Sequence, residues 1–150
     1  METDLRRIMA LDVGTKRIGV ALSDPFKLFA SQKFLVLNDK KIENVLEEIN
    51  KIAQNNNVYK VVFGLPYHMN GDEGEMVKFV KKFAQNFEQY NYEIDFMDER
   101  LTSSQAEDLL KQKKIKYSKN KGLVDQTSAC LILESYLNQF EKKGIIENGQ

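Results

Sequence analysis

The stretch Ile8-Met9-Ala10-Leu11-Asp12-Val13-Gly14-Thr15-Lys16-Arg17-Ile18-Gly19-Val20-Ala21-Leu22-Ser23-Asp24 reads as two strands joined by a tight, basic turn. Ile8 to Val13 is apolar apart from Asp12 and closes on Gly14, the pattern of a strand covered on both faces. An ionised carboxylate in such a strand costs several kcal/mol, roughly, unless a cation, an Arg or dense hydrogen bonding offsets it. Gly14-Thr15-Lys16-Arg17 then sets a flexible backbone, a hydroxyl and two cations beside that acid. An acid next to donors for phosphate oxygens points to metal-assisted phosphate chemistry. The competing reading makes Asp12 an ordinary Asp flanking a hairpin turn. The alternation that follows favours a specified position: Ile18, Val20 and Leu22 fall on one face, and the small Gly19, Ala21 and Ser23 on the other, for close packing.

The 150 residues fit one domain with a sizeable core, expected over 1–143 with a frayed tail at 144–150. Lys plus Arg equals Asp plus Glu at 22 each, so the field of the whole molecule argues neither for nor against nucleic acid. The lone Cys130 excludes an intramolecular disulfide and suits a reducing compartment. The charged N-terminus and the short Ile8 to Val13 run suit neither a signal peptide nor a membrane span. The expectation is a cytoplasmic protein with no membrane partner.

After Pro25, the segment Phe26 to Leu37 supplies a third strand, clearest at Lys33 to Leu37, which completes a meander. Asn38 and Asp39 are positioned to cap a helix from Lys41 to about Gln54, striped by Ile42, Val45, Leu46, Ile49, Ile52 and Ala53. Asn55-Asn56-Asn57 ends it, and Val58 to Phe63 is a buried strand closed by Gly64. Residues 64–74 form a Gly-rich loop with the only His, His68. Such loops bind ligands in α/β proteins, although a lone loop His is more often a surface residue than a general base. Met76, Phe79, Val80, Phe83 and Phe87 stripe a second helix, read as core. Tyr92 to Met97 is a fifth strand, followed by Asp98-Glu99-Arg100-Leu101 and by Thr102 with Gln105 as a capping box for a third helix. Acids at the end of this strand could present a metal ligand or form a plain surface ion pair with Arg100.

Lys111 to Lys121 carries lysines at 111, 113, 114, 116, 119 and 121 and no acid. This is either a solvated face or a contact for a phosphate backbone, and the absence of acids in a neutral chain favours the latter. A last helix runs from Leu123 to about Phe140, with Asp125 in its first turn. An acid there is favoured by the helix dipole, yet Asp125 also shares a face with Ser128, Ala129 and Ile132, which lets it face the sheet. Cys130 is simplest as a small core residue.

Four segments together resemble the YqgF (RuvX) family: Leu11 to Ala21, Gly64-Leu65-Pro66 with Met69-Asn70-Gly71, Asp98-Glu99-Arg100-Leu101-Thr102, and Lys121-Gly122-Leu123-Val124-Asp125. The resemblance spans nearly the whole chain. It implies an α/β, RNase H-like fold: a five-stranded mixed sheet in the order 3-2-1-4-5, three strands antiparallel and then two parallel, with helices on both faces. It further implies a hydrolase of nucleic-acid phosphodiesters, assigned mostly to the 5′ end of precursor 16S rRNA in ribosome biogenesis and earlier to Holliday junctions. Matched by motif, the family's acids fall on Asp12, Glu99 and Asp125. Tyr67-His68 departs from the Leu-Asn common in relatives and puts a required base at His68 in doubt.

Hard oxygen ligands without a Cys or His cluster indicate Mg²⁺ or Mn²⁺. Lys16, Arg17, Arg100, Lys113, Lys114, Lys116 and Lys121 are the candidate nucleic-acid contacts, with pre-rRNA or branched DNA as ligand and ribosomal assembly intermediates as possible company, for a monomer or a homodimer. Glu99 lies two strand spacings from Asp12, about 10 Å, so it must lean inward from beyond its strand end or metal affinity must be weak without substrate; Asp98 is the competing ligand, because side chains alternate and only one of the pair can face the site. One rival is a sugar-kinase-like phosphotransferase, for which the chain is too short to form two lobes. Another is a non-catalytic RNA-binding or ribosome-assembly module.

Overall fold

The computed structural model describes residues 4–101 and 122–141, with the backbone alone for residues 101 and 122–127. Its sheet is built from β1 (Arg7–Val13), β2 (Arg17–Ser23), β3 (Ala30–Leu37), β4 (Val58–Leu65) and β5 (Glu93–Asp98) in the order β3-β2-β1-β4-β5. β1 pairs antiparallel with β2, and β2 with β3. β4 runs parallel to β1, and β5 parallel to β4. β1 is therefore the central strand, and it is apolar on both faces because helices cover both.

The two faces carry separate cores. Met9, Leu11, Val13, Ile18, Val20, Leu22, Val61 and Phe63 point to one side, where α1 (Ile42–Asn55) buries Val45, Leu46, Ile49 and Ala53, and α2 (Glu75–Phe87) buries Val77, Val80, Phe83, Ala84 and Phe87. Phe63 lies edge-on to Phe83 and Phe87, with ring centroids 6.3 and 6.1 Å away, which locks α2 onto β4. Ile8, Ala10, Ala21, Val62 and Met97 point to the other side, beneath Ala129, Ile132, Leu133, Tyr136 and Leu137 of α3 (Gly122–Phe140). The small side chains on this face let α3 lie close across β1 and β2. The Tyr136 hydroxyl donates to Asp95 Oδ2 (2.6 Å) and accepts from Lys60 Nζ (3.1 Å), fixing the C-terminal half of α3 to both parallel strands.

Several boundaries differ from the sequence expectations, each for a tertiary reason. β3 begins at Ala30 and not at Phe26, because Asp24 draws the intervening chain into a turn: its carboxylate accepts the N–H groups of Phe26, Leu28 and Phe29. Burial pushes the Asp24 carboxyl upward, but those backbone donors together hold it below its ordinary value. Asn38 does not cap α1, whose N-cap is Lys41 with no side-chain bond. It donates instead to the Gly14 carbonyl (2.9 Å), stapling the end of β3 to the β1–β2 turn. β4 continues through Gly64 to Leu65, so Gly64 lies inside the strand and not at its end. The expected helix from Thr102 and the tail after residue 143 lie outside the described residues.

Candidate active site at the C-terminal edge of the sheet

Asp12 follows Ile8 and Ala10 on the α3 face of β1 and sits opposite Gly19 of β2. It is half-buried, not fully enclosed, because β1 is ending there. On the other side, the parallel pairing of Leu11 with Phe63 brings Gly64 of β4 next to it. Asp12 is thus flanked by two residues without side chains, which leaves a shelf in the sheet.

Glu99 fills that shelf. It opens a 3-10 turn over Glu99–Leu101 directly after β5. A Cβ placed on Gly64 would stand 3.0 Å from Glu99 Oε2 and 2.5 Å from Ile132 Cδ1 of α3. The carboxylate therefore lies over β4, leaning from β5 toward β1. Burial first, and then the charges of Asp12 and Asp98, push the Glu99 carboxyl up to about 7. Two carboxylates whose charges oppose each other in a half-buried setting form a site that favours a cation.

Asp98 faces elsewhere. Its carboxylate accepts the Arg100 backbone N–H (2.9 Å) and guanidinium Nε (3.1 Å) and Nη2 (2.6 Å). The hydrogen bond from the Arg100 side chain is the main reason its carboxyl is held below the ordinary range. The same guanidinium lies over the Tyr67 ring, 5.4 Å from its centroid, and so braces the loop after β4.

The basic turn is closed by hydrogen bonds and borders Asp12. The Gly14 N–H donates to the Arg17 carbonyl (2.9 Å), and a Cβ on Gly14 would meet that oxygen at 2.6 Å, so the turn requires glycine. The Asn38 N–H also donates to the Lys16 carbonyl (2.8 Å). Asp12, Gly14, Thr15, Lys16, Arg17 and Gly19 line an open cleft of about 270 Å³. Its mix of one acid with two exposed cations suits a phosphodiester held near a metal ion.

Of the residues expected from the sequence, the structure gathers Asp12, Lys16, Arg17 and Glu99 at one sheet edge, with Arg100 beside them. The α3 backbone includes Asp125 two turns before Ile132, while its side chain lies outside the described residues, as do Lys113, Lys114, Lys116 and Lys121. Among the described residues no group of three or more His, Cys, Asp or Glu gathers into a metal cage. His68 is exposed, with its ring against Gly74. The contributions of Gly19 and Asn38 to the site, and that of Gly64 as a strand residue making room for Glu99, were not foreseen; for Gly19 the signal was a glycine inside a predicted strand, where it weakens pairing.

This topology, with acids at the C-terminal edge of β1 and β5, defines an RNase H-like α/β protein; in fold it is similar to a T. thermophilus RuvC solved with a Holliday junction substrate (TM-score 0.55, 9% identity, 91% of this chain and 96% of that one). The family model described as "RuvX: Holliday junction resolvase" matches residues 6–139, and the chain belongs to that family. A relative in Sulfurihydrogenibium sp. (strain YO3AOP1) is 44% identical over 90% of this chain and 92% of its own length. One in Carboxydothermus hydrogenoformans is 41% identical over 91% and 99%. Both bear the name "Putative pre-16S rRNA nuclease".

Proposed function

We propose that this chain is a divalent-metal-dependent nuclease that hydrolyses phosphodiester bonds of structured nucleic acid, with the 5′ end of precursor 16S rRNA as its substrate. The observation that carries the reading is the pairing of Asp12 with Glu99 over Gly64, two carboxylates forced together at the edge of a basic cleft. The donor set fits Mg²⁺ or Mn²⁺: oxygen ligands, with the Glu99 carboxyl raised by burial and by the neighbouring acids so that a cation restores its charged form. Asp12, Glu99 and Asp125 are the proposed ligands. Ions held by these carboxylates would supply the Lewis acidity that an in-line displacement by water needs.

The protein's own groups do the positioning. Lys16 and Arg17 hold phosphate oxygens beside Asp12, and the turn that carries them is pre-set by Gly14 and Asn38, so ordering it on binding costs little entropy. The lysines at 113, 114, 116 and 121 extend the backbone contact, and Arg100 borders it. Readout of charge and shape in place of base sequence suits a precursor RNA within ribosomal assembly intermediates.

Branched DNA is the second substrate class, on the strength of the family's description. The deciding experiment incubates the protein with Mn²⁺ or Mg²⁺ and labelled precursor 16S rRNA, single strands and four-way junctions, beside Asp12→Asn. Metal-dependent cutting of the precursor near its 5′ end is expected. Cutting of junctions alone selects the resolvase reading, and binding of RNA without cutting selects an assembly module.

A further inference from the structure

The nuclease reading leaves Asp98 without a part, although it adjoins a proposed ligand and closes the parallel side of the sheet. We propose that Asp98 and Arg100 form a clamp that positions Glu99: Asp98 is not a metal ligand but holds the turn that aims its neighbour at Asp12. The inference rests on the metal reading of this site.

Asp98 is the last residue of β5 and pairs with Leu65, the last of β4. One carboxylate oxygen, Oδ1, accepts the Arg100 backbone N–H at 2.9 Å and so caps the 3-10 turn that starts at Glu99. Oδ1 and Oδ2 then accept Nε, each at 3.1 Å, and Oδ2 accepts Nη2 at 2.6 Å. Backbone and side chain of Arg100 are thus tied to a single carboxylate, which closes a ring across Glu99. With residues 98 and 100 joined on one side, the side chain between them is directed to the other, where Gly64 has left room.

The clamp extends to the loop after β4. The Arg100 guanidinium covers the Tyr67 ring. Gly71, at φ +92°, passes so close that a Cβ there would meet Nη1 at 3.3 Å. The loop is closed by hydrogen bonds from the His68 N–H to the Asp72 carbonyl (3.1 Å) and from the Gly71 N–H to the His68 carbonyl (2.8 Å). Arg100 therefore has a built seat. A partly exposed ion pair contributes little to stability, but the forked geometry fixes orientation, which a lysine cannot reproduce.

A metal ligand and a clamp respond differently to removal of Arg100. If Asp98 ligates, loss of the nearby cation leaves metal affinity unchanged or raises it. If Asp98 clamps, Arg100→Gln reproduces the defect of Asp98→Asn, and the double variant is no worse than either single one. Mn²⁺ affinity of the nucleic-acid-free protein, followed by the loss of the free-ion electron paramagnetic resonance signal, reads this without reference to cleavage. Each single variant, and Arg100→Lys with them, is expected to weaken Mn²⁺ binding by about tenfold, the usual effect of losing a group that orients a ligand. Loss of binding in Asp98→Asn together with full or tighter binding in Arg100→Gln overturns the proposal, and so does unchanged affinity in both. Asp12→Asn serves as the separate control: if it binds Mn²⁺ as the parent does, the metal reading of the site fails, whatever the clamp variants show.

Discussion

Replacing Gly64 by Ala tests the shelf on which the two acids meet. The added methyl would stand 2.5 Å from Ile132 Cδ1 and 3.0 Å from Glu99 Oε2, whereas relaxed carbon contacts lie near 3.5–4.0 Å. The Ile132 methyl must retreat by roughly 1 Å and the carboxylate by roughly half that. Overpacking of this kind costs about 1–3 kcal/mol, and a shift of about 1 Å in a reacting constellation can cost about a hundredfold in rate. Gly64→Ala is thus expected to lower the unfolding midpoint and, separately, to reduce cleavage at saturating metal by about tenfold or more. Ile132→Val removes Cδ1, the atom with the worse contact, while leaving Glu99 displaced. The double variant Gly64→Ala/Ile132→Val should therefore regain stability but not turnover, measured by thermal denaturation and by single-turnover cleavage. Recovery of both together would refute the role assigned to the shelf, as would full turnover in Gly64→Ala.

The remaining predictions concern charge. Because the folded chain holds the Glu99 carboxyl up to about 7 against an ordinary 4.5, it retains a proton that the unfolded chain releases, so stability falls as pH rises between those values and the whole cost is present above 7. Glu99→Gln should accordingly stabilise the metal-free protein at pH 8, by at most about 3 kcal/mol before solvent screening, and leave it unchanged at pH 4; urea titrations giving equal offsets at both pH values refute this. Asp12→Asn and Asp125→Asn should each abolish metal-dependent cleavage with an unaltered circular dichroism spectrum, and near-parental turnover in either removes that residue from the ligand set. Changing Lys113, Lys114 and Lys116 together to Gln should weaken binding to all sequences and flatten the slope of log K against log salt by roughly 0.7–0.9 per lost contact; an unaltered slope takes the segment out of the interface.

The central strand was legible because being covered on both faces leaves its mark in the sequence: a run such as Ile8 to Val13 cannot face water, so its one acid stands out. The helical stripes of α1 and α2 were legible for the same reason, since one face repeats every turn. What escaped depends on partners distant in sequence. Gly64 looks like the punctuation that ends a strand, and its purpose emerges only when Ile132 and Glu99 arrive above it. Asn38 precedes a helical pattern as a cap would, but α1 opens only after Lys41, and the Asn38 side-chain amide donates to the Gly14 carbonyl instead. The choice between Asp98 and Glu99 turns on a 3-10 turn three residues long, too short to leave a periodic trace.

Tyr136 has a consequence beyond packing. Its buried hydroxyl ties α3 to Asp95 and Lys60 near its C-terminal end, while Asp125 lies eleven residues toward the N-terminus, about 16 Å along the axis at 1.5 Å per residue. Between those two points the helix is held against the sheet by the buried Ala129, Ile132 and Leu133. The axis on which the third proposed ligand stands is thus set by contacts made about one to three turns away from it, at Ala129, Ile132, Leu133 and Tyr136.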